Sequence, residues 1–527
     1  MKAPLTVFQL RQSCSKGTRA RILAVASLLL LMGVAFAVVG VFAVYPTDNG
    51  KVQSTAADKT LRNNQFFNHN LHGPDVQNSN GQACVSCHLP SDGFDLHVDT
   101  IRAAFNATQG TDQLFRLNDT ADRPDADIST LDARRKAFKL FLNYGIVRIG
   151  KSFHTPSDFT VAPQNTSRYG PLPNTNDPQQ AAGVATLSLF RRPLVNTNVN
   201  FDSSVLWDGR ASIGNLRAQV IGAAKGLLLA GTISNDDADN IAAFMTGVFT
   251  DQIFDNPPPT GAGAGSLSAR GATGGVQNLL ALSQDPARPC VFAVDPTTNQ
   301  LVLTPFVAAV ATPSSCTSVI LDNPNTMTLF DAWASLPNTT QNQGRLSVAR
   351  GQEIFNTAVL HIPPDLQIPG VTGNVAHCVT CHATNNLGNN PDPTFFVRIG
   401  TDSIQILKQL ADADPLVKPV LNRVVNLPHY CLRPTSDPTP FSVAKCGTHF
   451  SDVLTTDPGR AMVTGLITDV GKFKPPVLRN LNARSPYFHN GAAGSIEDLV
   501  NFYNARFQIG LTDAQKTDLG TFIDEAF

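Results

Sequence analysis

The sequence predicts a mainly α-helical chain of two domains behind an N-terminal transmembrane helix, and three observations predict it. An uncharged apolar run covers Ile22–Val44. The pentapeptide Cys-x-x-Cys-His occurs twice, at Cys84–His88 and Cys378–His382, 294 residues apart. Helical periodicity and cap signals accompany the second copy and follow the first. With 527 residues, 42% of them hydrophobic, the chain can bury more than one core. The boundaries fall at 1–45 for the N-terminal segment, 46–335 for the first domain and 336–527 for the second.

Lys2, Arg11, Lys16, Arg19 and Arg21 precede the apolar run, which is 23 residues long. At about 1.5 Å per residue such a helix crosses a hydrocarbon layer of roughly 30 Å. Its basic flank stays cytoplasmic, so everything beyond Tyr45 faces the periplasm, anchored to the inner membrane by residues 22–44. The alternative is a signal cleaved near Ala35-Phe36-Ala37, which leaves a soluble periplasmic protein. A net charge of -1 without a basic cluster beyond the N-terminus excludes a nucleic-acid partner.

Residues 47–80 are polar and read as a linker into the first Cys-x-x-Cys-His helix. Residues 130–145 place Leu, Phe and Ala at helical spacing opposite Arg134, Arg135, Lys136 and Lys139, and Pro, Asn and Ser make 156–182 a loop. A Gly/Ala/Pro-rich stretch covers 256–275, and 290–325 reads as a small hairpin excursion. A helix follows from Arg345, with Phe355 four residues after Gly351. Ser495 before Glu497 and Asp498 opens another, and Thr512 with Gln515 is a capping box for the last.

Cys-x-x-Cys-His supplies two thioether links and one axial nitrogen for a haem on a single helical turn. Nine cysteines and eleven histidines in 527 residues make two chance matches implausible, and a zinc site would need a second ligand pair for each motif. The motifs therefore predict two covalently bound haem c groups, one on Cys84, Cys87 and His88, the other on Cys378, Cys381 and His382, and two cytochrome c-like domains with loop-rich insertions. Of the remaining cysteines, Cys14 precedes the apolar run, and the close spacing suggests Cys290 with Cys316 and Cys431 with Cys446 as disulfides in an oxidising compartment, with other pairings left open by the sequence. Periodicity does not choose the sixth ligands among the other histidines or Met245, Met327 and Met462.

Leu206-Trp207-Asp208-Gly209-Arg210, Gly471-Lys472-Phe473-Lys474-Pro475-Pro476-Val477-Leu478-Arg479-Asn480 and Ser485-Pro486-Tyr487-Phe488-His489-Asn490-Gly491, together with the paired haem motifs, resemble the bacterial di-haem cytochrome c peroxidase and MauG family. The resemblance covers most of the exported chain. It implies that the N-terminal haem, with His88 proximal, reacts with hydrogen peroxide, and that the C-terminal haem, with His382 proximal, relays electrons. Trp207 would stand between them. Electrons would come from a small donor protein, a cytochrome c or cupredoxin, or from a quinol-linked chain. Tyr503, fourteen residues after His489, occupies the position of the relay haem's other ligand, methionine in the peroxidases and tyrosine in MauG; a phenolate stabilises oxidised iron.

Gln219 matches the glutamine that follows the Trp-Asp-Gly-Arg motif. The usual distal carboxylate or histidine has no counterpart in Val220–Leu229, which leaves Lys225, His69, His72, His97 and His154 as candidates. Arg191-Arg192-Pro193 stands where the family's interdomain calcium has an asparagine ligand, so calcium has no secure match. The readings are therefore a peroxidase or MauG-type oxidoreductase, a non-catalytic electron-transfer cytochrome, and, with no positive support, a haem-based sensory protein.

Overall fold

In the computed structural model of the chain, Thr130 Oγ1 accepts a hydrogen bond from Ala133 N at 3.1 Å and starts the helix Leu131–Ala137. A break at Phe138 leads into Lys139–Tyr144, which stops at Gly145 in the left-handed region. The structure describes residues 44–47, 50–56, 82–161, 186–252, 291–294, 301–304, 327–382, 394–437, 446 and 451–525, less a few single residues within these ranges. Residues 43–527 gather into one compact unit.

Leu96, Ile101, Phe105, Phe115, Phe138 and Phe141 form the core nearest the first Cys-x-x-Cys-His turn, with Cys87 and Leu89 packed against it. Phe105 and Phe115 meet edge to face at 5.2 Å. A second, larger core lies around Gln343–Thr357, Ile404–Ala413, Lys418–Val424, Ile496–Arg506 and Asp513–Glu525. The 343–357 helix packs on the 513–525 helix so closely that a methyl on Gly351 would collide with the Asp518 carbonyl oxygen. Phe355, 5.5 Å from Phe522, also comes within 6.3 Å of the His382 ring, so this helix does pack on the second motif. Both expected caps form: Ser495 Oγ accepts from Asp498 N at 3.1 Å, and Gln515 Oε1 from Thr512 N at 3.0 Å.

Strands join the two halves. Val147–Ser152 pairs antiparallel with Thr186–Arg191, Val147 opposite Arg191, and every residue of the second strand is buried. Tyr430–Pro434 lies between Val453–Thr455 and Phe159–Val161. A segment of the first half thus completes a sheet of the second. Its core holds Phe159, Leu187, Leu189, Tyr430, Leu432 and Met462, and the Tyr430 hydroxyl donates to the Ser188 carbonyl.

These strands correct the mainly α expectation. Helix makes up 43% of the described residues, and six small sheets occur among them, including the hairpin Val291–Val294 with Leu301–Thr304 inside the expected excursion. β-branched and aromatic residues concentrated in short runs between the helices, as in Val291–Val294, favour extended pairing. The transmembrane anchor is corrected as well, because among the described residues no helix is long and apolar enough to cross a membrane. The run expected to be helical ends at Val44 in a strand, Val44–Thr47, paired with Gly50–Ala56; Pro46 has no N–H with which to continue a helix. Residues 22–43 lie outside the described residues, as do Cys14, Cys290, Cys316, His69, His72 and His449.

Candidate functional site

The two Cys-x-x-Cys-His segments adopt the same backbone. Each is one helical turn, Cys84–Cys87 and Cys378–Cys381, with an extended N-cap and the histidine as C-cap at φ/ψ of -116°/69° for His88 and -121°/73° for His382. A hydroxyl three residues inside each turn closes it. Ser86 Oγ accepts from Ala83 N at 3.0 Å, and Thr380 Oγ1 from His377 N at 2.9 Å. The histidine N–H then returns to the first cysteine carbonyl at 3.0 Å in both. His88 Nδ1 lies 3.2 Å from the Phe94 carbonyl oxygen, a contact that places the proton on Nδ1 and leaves the Nε2 lone pair free to act as a ligand. Burial lowers its pKa to about 4, keeping the ring neutral. Burial also raises the thiols, Cys84 to about 11 and Cys378 to about 12, so these two stay protonated near neutral pH and are not thiolate nucleophiles.

Beside the second turn lies a cavity that is partly open to solvent. Cys378, Cys381, His382 and Tyr503 all line it, as do Trp207 and His489. Most of the wall is apolar, with Phe355, Leu360, Ile368, Val397, Phe507 and Leu519 among its residues. Burial raises the Tyr503 phenol, and Cys381 and Cys378 add to the rise, which puts its hydroxyl within electrostatic reach of both sulfurs. Such a cavity fits a large planar apolar group, which Cys378 and Cys381 would hold through thioethers and to which His382 and Tyr503 would offer a nitrogen and a phenolic oxygen.

Trp207 is held from three sides. Its indole N–H donates to the Arg192 carbonyl at 2.9 Å, Lys474 N donates to its carbonyl at 3.0 Å, and its ring meets His489 edge to face at 6.3 Å. Phe473 stacks on the other side of His489 at 3.8 Å. The next residue, Asp208, binds Arg191 Nη1 and Arg210 Nη1, each at 2.7 Å. Arg191 also reaches Asp457 with both Nε and Nη2, at 2.6 and 2.8 Å. Burial raises the Asp208 pKa, but Arg210 and Arg191 outweigh it and hold the carboxyl below the usual range. Arg191 thus occupies a two-carboxylate pocket with its own charge.

Gln219 sits half-buried on the helix Leu216–Gly226, and Lys225 on the same helix is exposed. His97 caps the helix Val98–Thr108 by accepting from Asp99 N at 3.1 Å, and His154 is exposed with Nδ1 at 2.9 Å from the Pro156 carbonyl. Both have local structural work. Met245, Met327 and Met462 are buried.

Sequence reasoning missed Asp119. It is 3% exposed, its Oδ1 has no hydrogen-bond partner among the described residues, and burial raises its pKa to about 7 against the pull of Arg148 and a Gln82 hydrogen bond. It also raises the Cys87 thiol, after burial the next cause, which places it by the first motif. The family pattern puts a proton-handling group after the position of Gln219, whereas Asp119 stands 100 residues earlier.

No family model matches the chain. Over 67 residues it is 34% identical to the cytochrome-c peroxidase IdrP1 of Denitromonas iodatirespirans. That match covers 11% of this chain and spans 18% of the relative's length. The likeness is local. It makes this stretch of the chain similar to part of a cytochrome-c peroxidase.

Proposed function

We propose that the chain is an exported, periplasmic di-haem oxidoreductase of the peroxidase and MauG kind, with one haem c in each of two domains, 46–335 and 336–527. Hydrogen peroxide is its oxidant substrate, and a small donor protein, a cytochrome c or cupredoxin, or a quinol-linked chain is its electron source. The observation that carries the reading is the convergence of Cys378, Cys381, His382, Tyr503 and Trp207 on one apolar cavity. Bound haem supplies an iron that changes oxidation state and, at an open position, a site for peroxide.

The protein's own residues set the rest. The Phe94 carbonyl orients His88, so its Nε2 faces away from that contact. Tyr503, opposite in kind to His382, stabilises the oxidised form of the second centre as a phenolate. Trp207, fixed through Arg192 and Lys474, stands as the aromatic bridge, and Gln219 belongs to the first centre. Asp119 adds a buried carboxyl able to hold a proton near neutral pH.

Electronic and EPR spectra of the purified protein, before and after hydrogen peroxide, test this. A high-spin ferric haem that vanishes on peroxide addition, beside a low-spin one, is the expected result. Two low-spin haems unmoved by peroxide would replace it with the electron-transfer reading, which the absence of a carboxylate or histidine in Val220–Leu229 favours.

A further inference from the structure

The cavity beside the second motif is not apolar throughout. Asp95, Arg192, Lys474, Arg484 and His489 also line it, each less than a tenth exposed. They form a continuous wall with Trp207. Arg192 N donates to the His489 carbonyl at 2.6 Å, Arg192 Nη2 to the Arg484 carbonyl at 3.2 Å, and the Trp207 indole to the Arg192 carbonyl.

The charges in this wall do not balance. Lys474 is matched by Asp202 at 3.0 Å. Arg192 and Arg484 share Asp95, which lies 3.7 Å from Arg192 Nη2 and whose carboxyl burial pushes toward the neutral form. Arg484 donates through Nη2 to the Val477 carbonyl at 2.6 Å, while its buried Nε has no partner among the described residues. His489, 2% exposed, likewise has an unpartnered Nε2 among them. The buried Arg484 Nε and His489 Nε2 leave room for an oxygen acceptor, and two guanidinium charges against the one Asp95 carboxyl favour an anionic one.

We infer that Arg484 and His489, with the Arg192 charge beside them, form a carboxylate-binding wall that would receive the propionates of the haem carried by Cys378 and Cys381. The inference rests on the haem reading above. It gives the cavity a polarity that matches the ligand, with apolar side chains around the ring and donors at the carboxylates. A cation beside the propionates favours the reduced haem, so the wall raises the potential that a phenolic ligand lowers.

The test uses the full haem-loaded chain and the variants Arg484→Met and His489→Phe, with the exposed Arg217→Met as control. Mass analysis of the Cys378–His382 peptide establishes whether haem is attached; potentiometry and the propionate bending bands in resonance Raman read the wall. The expected result is haem retained, shifted propionate bands in both wall variants and a reduction equilibrium about tenfold lower in Arg484→Met, close to 59 mV for one electron. Arg217→Met moves neither. Haem present with potential and bands unchanged in both wall variants overturns the inference and leaves the haem reading standing. A wild-type peptide without haem overturns that reading, and the inference with it. Saturable shifts of the wild-type potential by inorganic phosphate would show that the wall faces a free anion, and would overturn the propionate assignment.

Discussion

Arg191 chelates Asp457 with Nε and Nη2 at 2.6 and 2.8 Å across 266 residues of chain. Both side chains are 1% exposed, and the remaining Nη1 holds Asp208 next to Trp207. Removing one member leaves a buried charge uncompensated. Asp457→Asn is therefore expected to cost about 3–5 kcal/mol of stability, read as a lower urea midpoint. A loss under about 1 kcal/mol would show that the triad adds nothing beyond packing.

Trp207→Phe separates support from function. It deletes one hydrogen bond, to the Arg192 carbonyl, with a net effect of about 1 kcal/mol, and keeps an aromatic ring of smaller size. Stability should fall little, while rapid-mixing absorption shows markedly slower electron transfer between the two haems. Equal rates in wild type and variant would remove Trp207 from the path.

Much of this was legible in the chain because it is local. The Cys-x-x-Cys-His turns, the Ser495 and Thr512 caps, the 343–357 helix and the hairpin at 291–304 each depend on residues a few positions apart. The strands were not, because Phe159–Val161 is short and finds its partner 271 residues later, opposite Leu432–Pro434, so no periodicity within it announces the pairing. Arg191 and Arg192 were noted as a departure from a calcium ligand pattern. Their real work, gripping Asp457, Asp208, Gly145 and Leu96, is set by contacts distant in sequence. Asp119 was missed for the same reason.

Tyr503→Phe keeps the ring and its 5.9 Å stack on Phe507 while deleting the phenolic oxygen. Ligation predicts a changed ferric spectrum at the second haem and a higher midpoint potential, since a phenolate favours oxidised iron. The protein should remain folded, because the packing face is unaltered. A spectrum identical to wild type would reduce Tyr503 to a core residue of the 496–506 helix.

Asp119 makes stability depend on pH in a defined window. Its carboxyl titrates near pH 3.8 when unfolded and about 7 when folded, so between these values the folded chain holds a proton the unfolded chain has released. Folding stability from this group is fully present below about pH 4 and is lost as pH rises toward 7. Asp119→Asn stays neutral throughout. Relative to wild type, its urea midpoint should rise steadily from pH 4 to 7 and then level off. Parallel profiles would show that Asp119 is ionised in the folded protein across that range.

The Cys431–Cys446 bridge is the one expected disulfide that falls on described residues, and it closes a loop with a sequence separation of 15. Closing a loop of about 15 residues in the unfolded chain is worth about 3 kcal/mol. Its first end, Cys431, sits fully buried in the central strand Tyr430–Pro434, one residue from the Tyr430 hydroxyl that reaches Ser188. Loosening it therefore acts on the sheet that joins the two halves. The double variant Cys431→Ala/Cys446→Ala should unfold at a lower urea concentration by an amount near that figure, and dithiothreitol should destabilise wild type equally while leaving the variant unmoved. Persistence of the disulfide in protein isolated from the periplasm also requires an oxidising compartment. A reduced, alkylatable pair in freshly isolated protein would count against export.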